Sequence, residues 1–303
     1  MEKKEKALRL IGFGSAAIAC GAAYGAHVKR VAELVDGSYQ TALVTGATSG
    51  IGREFAIVFA EHHFNLVLVA RNAEKLESLK QELEDRYQIK VTVIAKDLSD
   101  ENAAREIYDE VLEKKIVVNQ LVNNAGAGKQ DSVTDADTDL MKSLIHLNIT
   151  SVTMLCNLFG HDMAERGNGR ILNVSSMGAF IPDPYFNVYG PTKAYELFLT
   201  EAMYGELHET GVTVSVLCPG PTKTNWASNA GKADAKIAKD PREVAVKGFE
   251  GMQSGQLIII PNTDYKALRC IMRKMPTKLQ VRIIARWQDA LIEARDAEGA
   301  SSK

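Results

Sequence analysis

The chain has 303 residues, 46% hydrophobic and 24% charged, which suits a globular protein of one large or two small domains. Its net charge is −2 and its arginines are scattered, so no basic stripe is present to recruit nucleic acid. Cys20, Cys156, Cys218 and Cys270 are widely spaced with no CxxC or Cys/His cluster, which argues against a disulfide framework or a metal site and for buried, reduced thiols.

The first element is an uncharged, alanine- and glycine-rich segment, residues 10–28, flanked by basic residues on both sides. It just reaches the length of a membrane span, and Gly21 and Gly25 form a GxxxG suited to close helix packing. Three readings stay open: a membrane anchor, a soluble helix that packs on another surface, and a cleaved signal. The last fits poorly with the intracellular cofactor argued for below. The expectation is a cytoplasmic catalytic domain, with residues 10–28 as its point of membrane contact.

From residue 40 the pattern alternates. Short runs rich in Val, Ile and Leu fall at 41–45, 65–70, 91–95, 120–124, 170–175, 213–218 and 256–260. Helical segments begin near 50, 72, 100, 137, 188 and 241. Several strand runs are apolar on both faces, as in a parallel sheet covered on two sides. The reading is an α/β fold: a doubly wound, Rossmann-type, seven-stranded sheet with helices on both faces, spanning 40–262 as one domain. Residues 1–39 and 263–303 are appendages.

"TALVTGATSGIG" (41–52) joins the first strand to the first helix. Gly46, Gly50 and Gly52 give GxxxGxG, which permits a tight turn and a close backbone approach. The helix N-terminus that follows offers free N–H groups to a pyrophosphate. The spacing is neither the common GxGxxG fingerprint nor a P-loop. The second strand ends at Ala70-Arg71, where an NAD-binding fold usually carries an acid. An arginine there suits a 2′-phosphate, so NADP(H) is favoured over NAD(H). Arg53 is read as a solvated helix residue.

Tyr189 and Lys193 lie four residues apart, one helical turn. Pro191 between them is tolerated only if the helix begins at about Asn187 to Tyr189, where backbone N–H groups lack intrahelical partners anyway. Ser176 lies 13 residues before Tyr189, just past a strand, with Ser175 as the rival serine.

With "TGATSGIG" (45–52), "DL" (97–98), "NNAG" (123–126), Asn148, Ser176, "YGPTK" (189–193) and "PGPTKT" (219–224) in this order, the chain resembles a classical short-chain dehydrogenase/reductase over some 220 residues. The resemblance implies a strand order of 3-2-1-4-5-6-7. It implies that Tyr189 is the general acid or base, that Lys193 lowers its pKa and binds the nicotinamide ribose, that Ser176 binds the substrate oxygen, and that Asn148, on a helix kink, holds a relay water. Gly46, Thr48, Ser49, Gly50, Ile51 and Gly52 would cradle the pyrophosphate. Arg71 would meet the 2′-phosphate, Asp97 and Leu98 the adenine, and Asn124, Ala125 and Gly126 the ribose. Pro219, Gly220 and Thr222 would meet the nicotinamide. The implied partners are a small carbonyl or alcohol substrate and, as common in the family, further copies of the chain.

Residues 225–240 read as a substrate lid, in which Trp226 either lines the pocket or anchors the lid. The tail, 264–289, sets basic residues among Leu, Ile, Met, Val and Trp287. A helix pair packed over the active-site rim is preferred to a membrane-surface element. The expected activity is NADPH-dependent reduction of a ketone or aldehyde, reversible, with a lipophilic substrate if the chain ends touch membrane. The rival from another class is a noncatalytic NADP-binding sensor, which would have no need of Tyr189.

Overall fold

The computed structural model describes residues 28–29, 35–232 and 237–301. Residues 10–27 of the apolar segment and 233–236 of the expected lid lie outside the described residues. Strands β1 (Thr41–Thr45), β2 (Asn65–Ala70), β3 (Val91–Ala95), β4 (Gln120–Asn123), β5 (Gly169–Val174), β6 (Val212–Leu217) and β7 (Ile258–Ile259) form one parallel sheet. Its order is β3-β2-β1-β4-β5-β6-β7. Each strand start lies within two residues of its predicted place. The last strand is shorter than expected. It pairs only with β6, and Pro261 lacks the N–H needed to extend it.

The strands are rich in Val, Leu and Ile because both faces are covered. On one face pack α1 (Gly50–Glu61), α2 (Ala73–Tyr87) and α8 (Pro241–Gln253). Phe59 sits there edge-on to Phe64 and to Phe249, each with ring centroids 5.1 Å apart. These three rings are almost fully buried, worth about 3 kcal/mol each. The other face is covered by α3 (Ala103–Glu113), α5 (Ser151–Glu165) and α6 (Tyr189–Leu207). α3 starts three residues later than predicted, because residues 97–103 first make two turns, Asp100 N to Asp97 O and Ala103 N to Asp100 O.

Helix α4 (Thr138–Ile145) runs into α5 through a single widened turn, His146–Thr150, that holds Asn148. Such a turn is the physical form of the expected kink. Among the described residues this continuous helix, Thr138–Glu165, is long and apolar enough to cross a membrane by composition, and half of its most apolar window is buried inside the domain. It is a core helix here. A short helix, α7 (Trp226–Asn229), follows β6.

The tail forms α9 (Thr263–Lys274) and α10 (Thr277–Ser301), separated at Pro276. The Gln280 side chain donates to Met272 O (2.6 Å) and Met275 O (2.8 Å), closing the end of α9. α10 packs back on the domain. Tyr185 Oη donates to Asp289 (2.6 Å), Gln288 Nε2 to Asp183, and Arg295 to Gly231 O (2.8 Å). Leu279, Arg282, Ile283, Arg286 and Trp287 face solvent. Among the described residues the cysteines form no disulfide. Cys156 and Cys218 are buried as expected, whereas Cys270 is exposed, because it stands on the outer side of α9.

Candidate active site

In this strand order β1 is flanked by β2 on one side and β4 on the other, so the chain leaves β1 and β4 in opposite directions. A crevice opens at the carboxyl ends of the strands at such a point. Thr45 ends β1, and its Oγ1 accepts from Asn124 N and Ala125 N, both at 3.0 Å. The Asn124 side chain donates to Thr45 O (2.9 Å) and more weakly to Gly46 O (3.4 Å). The residue expected to line the ribose thus spends its side chain on holding the glycine turn.

Gly46 has φ +66°, a conformation that side chains resist. A Cβ on Gly52 would lie 2.3 Å from Gly46 O, so the turn closes only around glycine. The Ser49 side chain makes no capping hydrogen bond at the start of α1. The tight glycine cradle and the helix N-terminus together fit a dinucleotide pyrophosphate.

Arg71 follows β2 directly, exposed, with Nη1 3.7 Å from Asp97 Oδ2. Partial burial works against Asp97, but hydrogen bonds from Ser99 and the Arg71 charge hold its carboxyl below the usual range. Leu98 beside it is buried. Arg53 is bound to Glu82 through both carboxylate oxygens (2.8 and 2.7 Å), as a surface helix residue.

On the other side of the crevice stand four residues. α6 begins at Tyr189, so Pro191 falls in its first turn and breaks nothing. Lys193 lies one turn deeper, its Nζ 5.8 Å from the Tyr189 ring centre. Ser176 is extended and begins a one-turn 3₁₀ helix, Met177–Phe180, with its Oγ accepting from Gly178 N at 3.1 Å. The neighbouring Ser175 is buried and donates to Lys193 O (2.7 Å), which leaves Ser176 as the serine beside Tyr189. Burial pushes the Tyr189 phenol up, while the Lys193 charge and a hydrogen bond with Ser176 pull it down.

Asn148 is fully buried. It donates to Ala127 O (2.9 Å) and Thr192 Oγ1 (3.0 Å) and accepts from Ala127 N (3.1 Å), so it fixes the loop after β4 against α6. Gly126 lies against Lys193, a Cβ there coming 3.1 Å from Nζ. Pro219 O accepts from Met177 N (2.9 Å), and Thr222 Oγ1 donates to Gly220 O (3.0 Å). The Tyr265 ring of α9 packs on Gly220.

An aromatic cover lies over Tyr189. The Trp226 ring is 4.6 Å from it, and Phe186 is 6.1 Å from both. Gly128 lets the Trp226 and Tyr189 rings close, since a Cβ would meet both at 2.8 to 3.0 Å. Trp226 therefore faces the crevice rather than only tethering the segment that bears it. Three participants escaped sequence reading. Thr45 and Thr192 look like ordinary strand and helix threonines. Glu196 had a signal: a carboxylate three residues after Lys193 on the same helix face.

A parallel doubly wound sheet with a glycine turn after β1 and a half-buried tyrosine above a buried lysine across the crevice is the architecture of a nucleotide-dependent oxidoreductase. A sequence profile described as short chain dehydrogenase matches residues 40–235. The chain belongs to the short-chain dehydrogenase/reductase family and is an oxidoreductase. It is 32% identical over 256 residues to very-long-chain 3-oxoacyl-CoA reductase of Homo sapiens, covering 80% of this chain and 78% of that one. It is 33% identical over 191 residues to hydroxysteroid dehydrogenase-like protein 1 of Gallus gallus, covering 62% of this chain but only 57% of the relative. Among solved structures, a short-chain dehydrogenase from Sphingobium yanoikuyae in complex with NADPH superposes with a TM-score of 0.71 at 28% identity, over 78% of this chain and 96% of that one. A 7beta-hydroxysteroid dehydrogenase superposes with a TM-score of 0.75 at 26% identity, over 81% and 96%.

Proposed function

We propose that this chain is an NADP(H)-dependent carbonyl reductase, reversible as an alcohol dehydrogenase, acting on a bulky lipophilic ketone or aldehyde. The observation that carries the reading is the convergence of Ser176 and Lys193 on Tyr189 beneath an aromatic cover. A noncatalytic sensor would not need a buried ammonium beside a half-buried phenol.

Residues Gly46, Thr48, Ser49, Gly50, Ile51 and Gly52 would hold the pyrophosphate, and Arg71, Asp97 and Leu98 the adenosine end. Asn124, Ala125, Gly126, Pro219, Gly220 and Thr222 would hold the nicotinamide end. Held there, the cofactor would supply the hydride that reduction needs, or accept the one that oxidation releases. Tyr189 gives its proton to the carbonyl oxygen in reduction. Ser176 donates to the same oxygen as negative charge develops. Lys193 stabilises the phenolate that remains. Asn148 keeps the β4 loop and α6 in register around them. The test is NADPH oxidation against a panel of ketones, steroids, quinones and acyl thioesters, with NADH as control.

The cover of Trp226 and Phe186 supports a bulky apolar substrate, as do the substrates named in the relatives above. Replacing Trp226 with alanine should raise KM for bulky ketones about tenfold, the loss of one aromatic contact of about 1.4 kcal/mol. KM for a small ketone should hardly move. Steady-state kinetics on a bulky and a small substrate check this, and equal KM changes for both would remove Trp226 from the substrate site.

The membrane reading rests on residues 10–28 and predicts that full-length protein sediments with membranes while protein lacking residues 1–30 stays in the supernatant. Equal partitioning of the two forms would remove the anchor. Homo-oligomer formation is supported by apolar side chains left exposed on the outer faces of α5 and α6, Met154, Phe198 and Tyr204.

A further inference from the structure

Glu196 is a buried charged group that the mechanism above leaves unused. It stands on α6 at 1% exposure, and Lys193 is at 3%. Its two carboxylate oxygens lie 2.7 and 3.0 Å from Lys193 Nζ. Another donor of the ammonium goes to Val174 O at 2.9 Å. Lys193 is thus held by one carboxylate and one carbonyl, with the two Glu196 oxygens lying close enough together to share a single N–H. The titratable groups facing this pair are Tyr189 on α6, Cys156 on α5 and Cys218 after β6, with Arg269 of α9 acting on Cys218 and Asp183 on Tyr189. Burial pushes both thiols up to about 12, so they are neutral near physiological pH.

A buried ion pair is a poor source of stability, often no better than apolar residues of the same volume. Stability alone gives no reason for this carboxylate to sit on the lysine that faces Tyr189. We infer that Glu196 is a positioning residue of the reaction: it seats the Lys193 ammonium and, through the charge it sets against that ammonium, governs how much positive charge Tyr189 feels. This rests on the oxidoreductase mechanism proposed above.

Burial pushes the Glu196 carboxyl up to about 7, against the pull of Lys193. Below that pH the pair carries one positive charge, and above it the pair is neutral. The field that favours the Tyr189 phenolate thus weakens as pH rises through neutrality. In Glu196→Gln the amide oxygen still accepts from Nζ, and the lysine charge is no longer cancelled. The phenol becomes more acidic. The rising limb of kcat/KM for alcohol oxidation, which needs the phenolate, should move to lower pH by about one unit. Glu196→Asp keeps the charge but draws it back by one methylene. Its limb should stay in place while kcat falls severalfold.

The experiment records pH profiles of kcat/KM for wild type and both variants, with NADPH binding followed by fluorescence. It adds infrared difference spectra of the substrate-free proteins across neutral pH. Wild type should show a protonated-carboxyl band titrating near 7 that Glu196→Gln lacks. A Glu196→Gln limb at the wild-type pH, even with reduced kcat, would reduce Glu196 to a structural part and overturn the inference. So would an infrared band that survives in that variant. If Glu196→Gln does not fold, an Asp variant whose limb moves by a unit overturns it equally. Absence of turnover by wild type on every carbonyl and alcohol would instead sink the oxidoreductase mechanism, while the infrared arm still reports on Glu196.

Discussion

Tyr189→Phe should lower kcat by about 10²–10⁴-fold, the usual contribution of a positioned acid or base, while NADPH affinity changes by less than about threefold. The substitution removes one oxygen and leaves the ring. The ring is what packs against Trp226 at 4.6 Å and Phe186 at 6.1 Å, so the cover over the site should survive. Lys193 is held by Glu196 and Val174 O rather than by the phenol, so it should keep its place. The loss should therefore appear in kcat and not in folding. Steady-state rates together with NADPH fluorescence titration separate these quantities. Wild-type turnover in the variant would sink the mechanism, and a collapse of NADPH binding would show that the oxygen had a structural duty.

The sheet is legible in the sequence because several strand runs are apolar on both faces and the runs are bounded by polar helix starts. β1 and β2 bury every residue after the first, and no alternating pattern competes. The helix start at Tyr189 is legible because Pro191 allows few others. What escapes are features set by partners distant in sequence. The kink at Asn148 is legible only through the family resemblance, because its side chain bonds Ala127 and Thr192, 21 and 44 residues away, and nothing local marks it. The direction of Trp226 depends on the space left at Gly128, some hundred residues earlier in the chain.

Glu196 marks the limit most clearly. A glutamate on a long helix is ordinarily a solvated face residue, and α6 has apolar residues nearly all round. Its burial follows from α6 lying beside α5 over the strands β5 and β6, which only the assembled fold defines. The tail shows the converse. Its basic, amphipathic pattern admits a membrane-surface element, although a packed helix pair is the preferred reading. The bonds from α10 to Asp183, Tyr185 and Gly231 show that it packs on the domain.

Arg71→Ala should raise KM for NADPH by about 10–100-fold, the value of a lost charge-assisted hydrogen bond, and leave KM for NADH nearly unchanged. The local structure should tolerate the change. Asn72, not Arg71, caps α2, accepting from Lys75 N at 2.8 Å, and the Arg71 side chain is largely exposed. Asp97 is its charged neighbour in the crevice, at 3.7 Å. With Arg71 present, that carboxylate is balanced. Without it, Asp97 would stand alone at the edge where a 2′-phosphate would lie, and it would repel that dianion. The two effects have the same sign, so the ratio of kcat/KM for NADPH to that for NADH should fall further than the loss of one hydrogen bond predicts. Arg71→Ala/Asp97→Asn isolates the second effect: removing the bare carboxylate should return part of the NADPH activity. Kinetics with both cofactors for the two variants measure this directly. An unchanged ratio in Arg71→Ala would make Arg71 an ordinary surface charge and place the choice of cofactor elsewhere in the crevice.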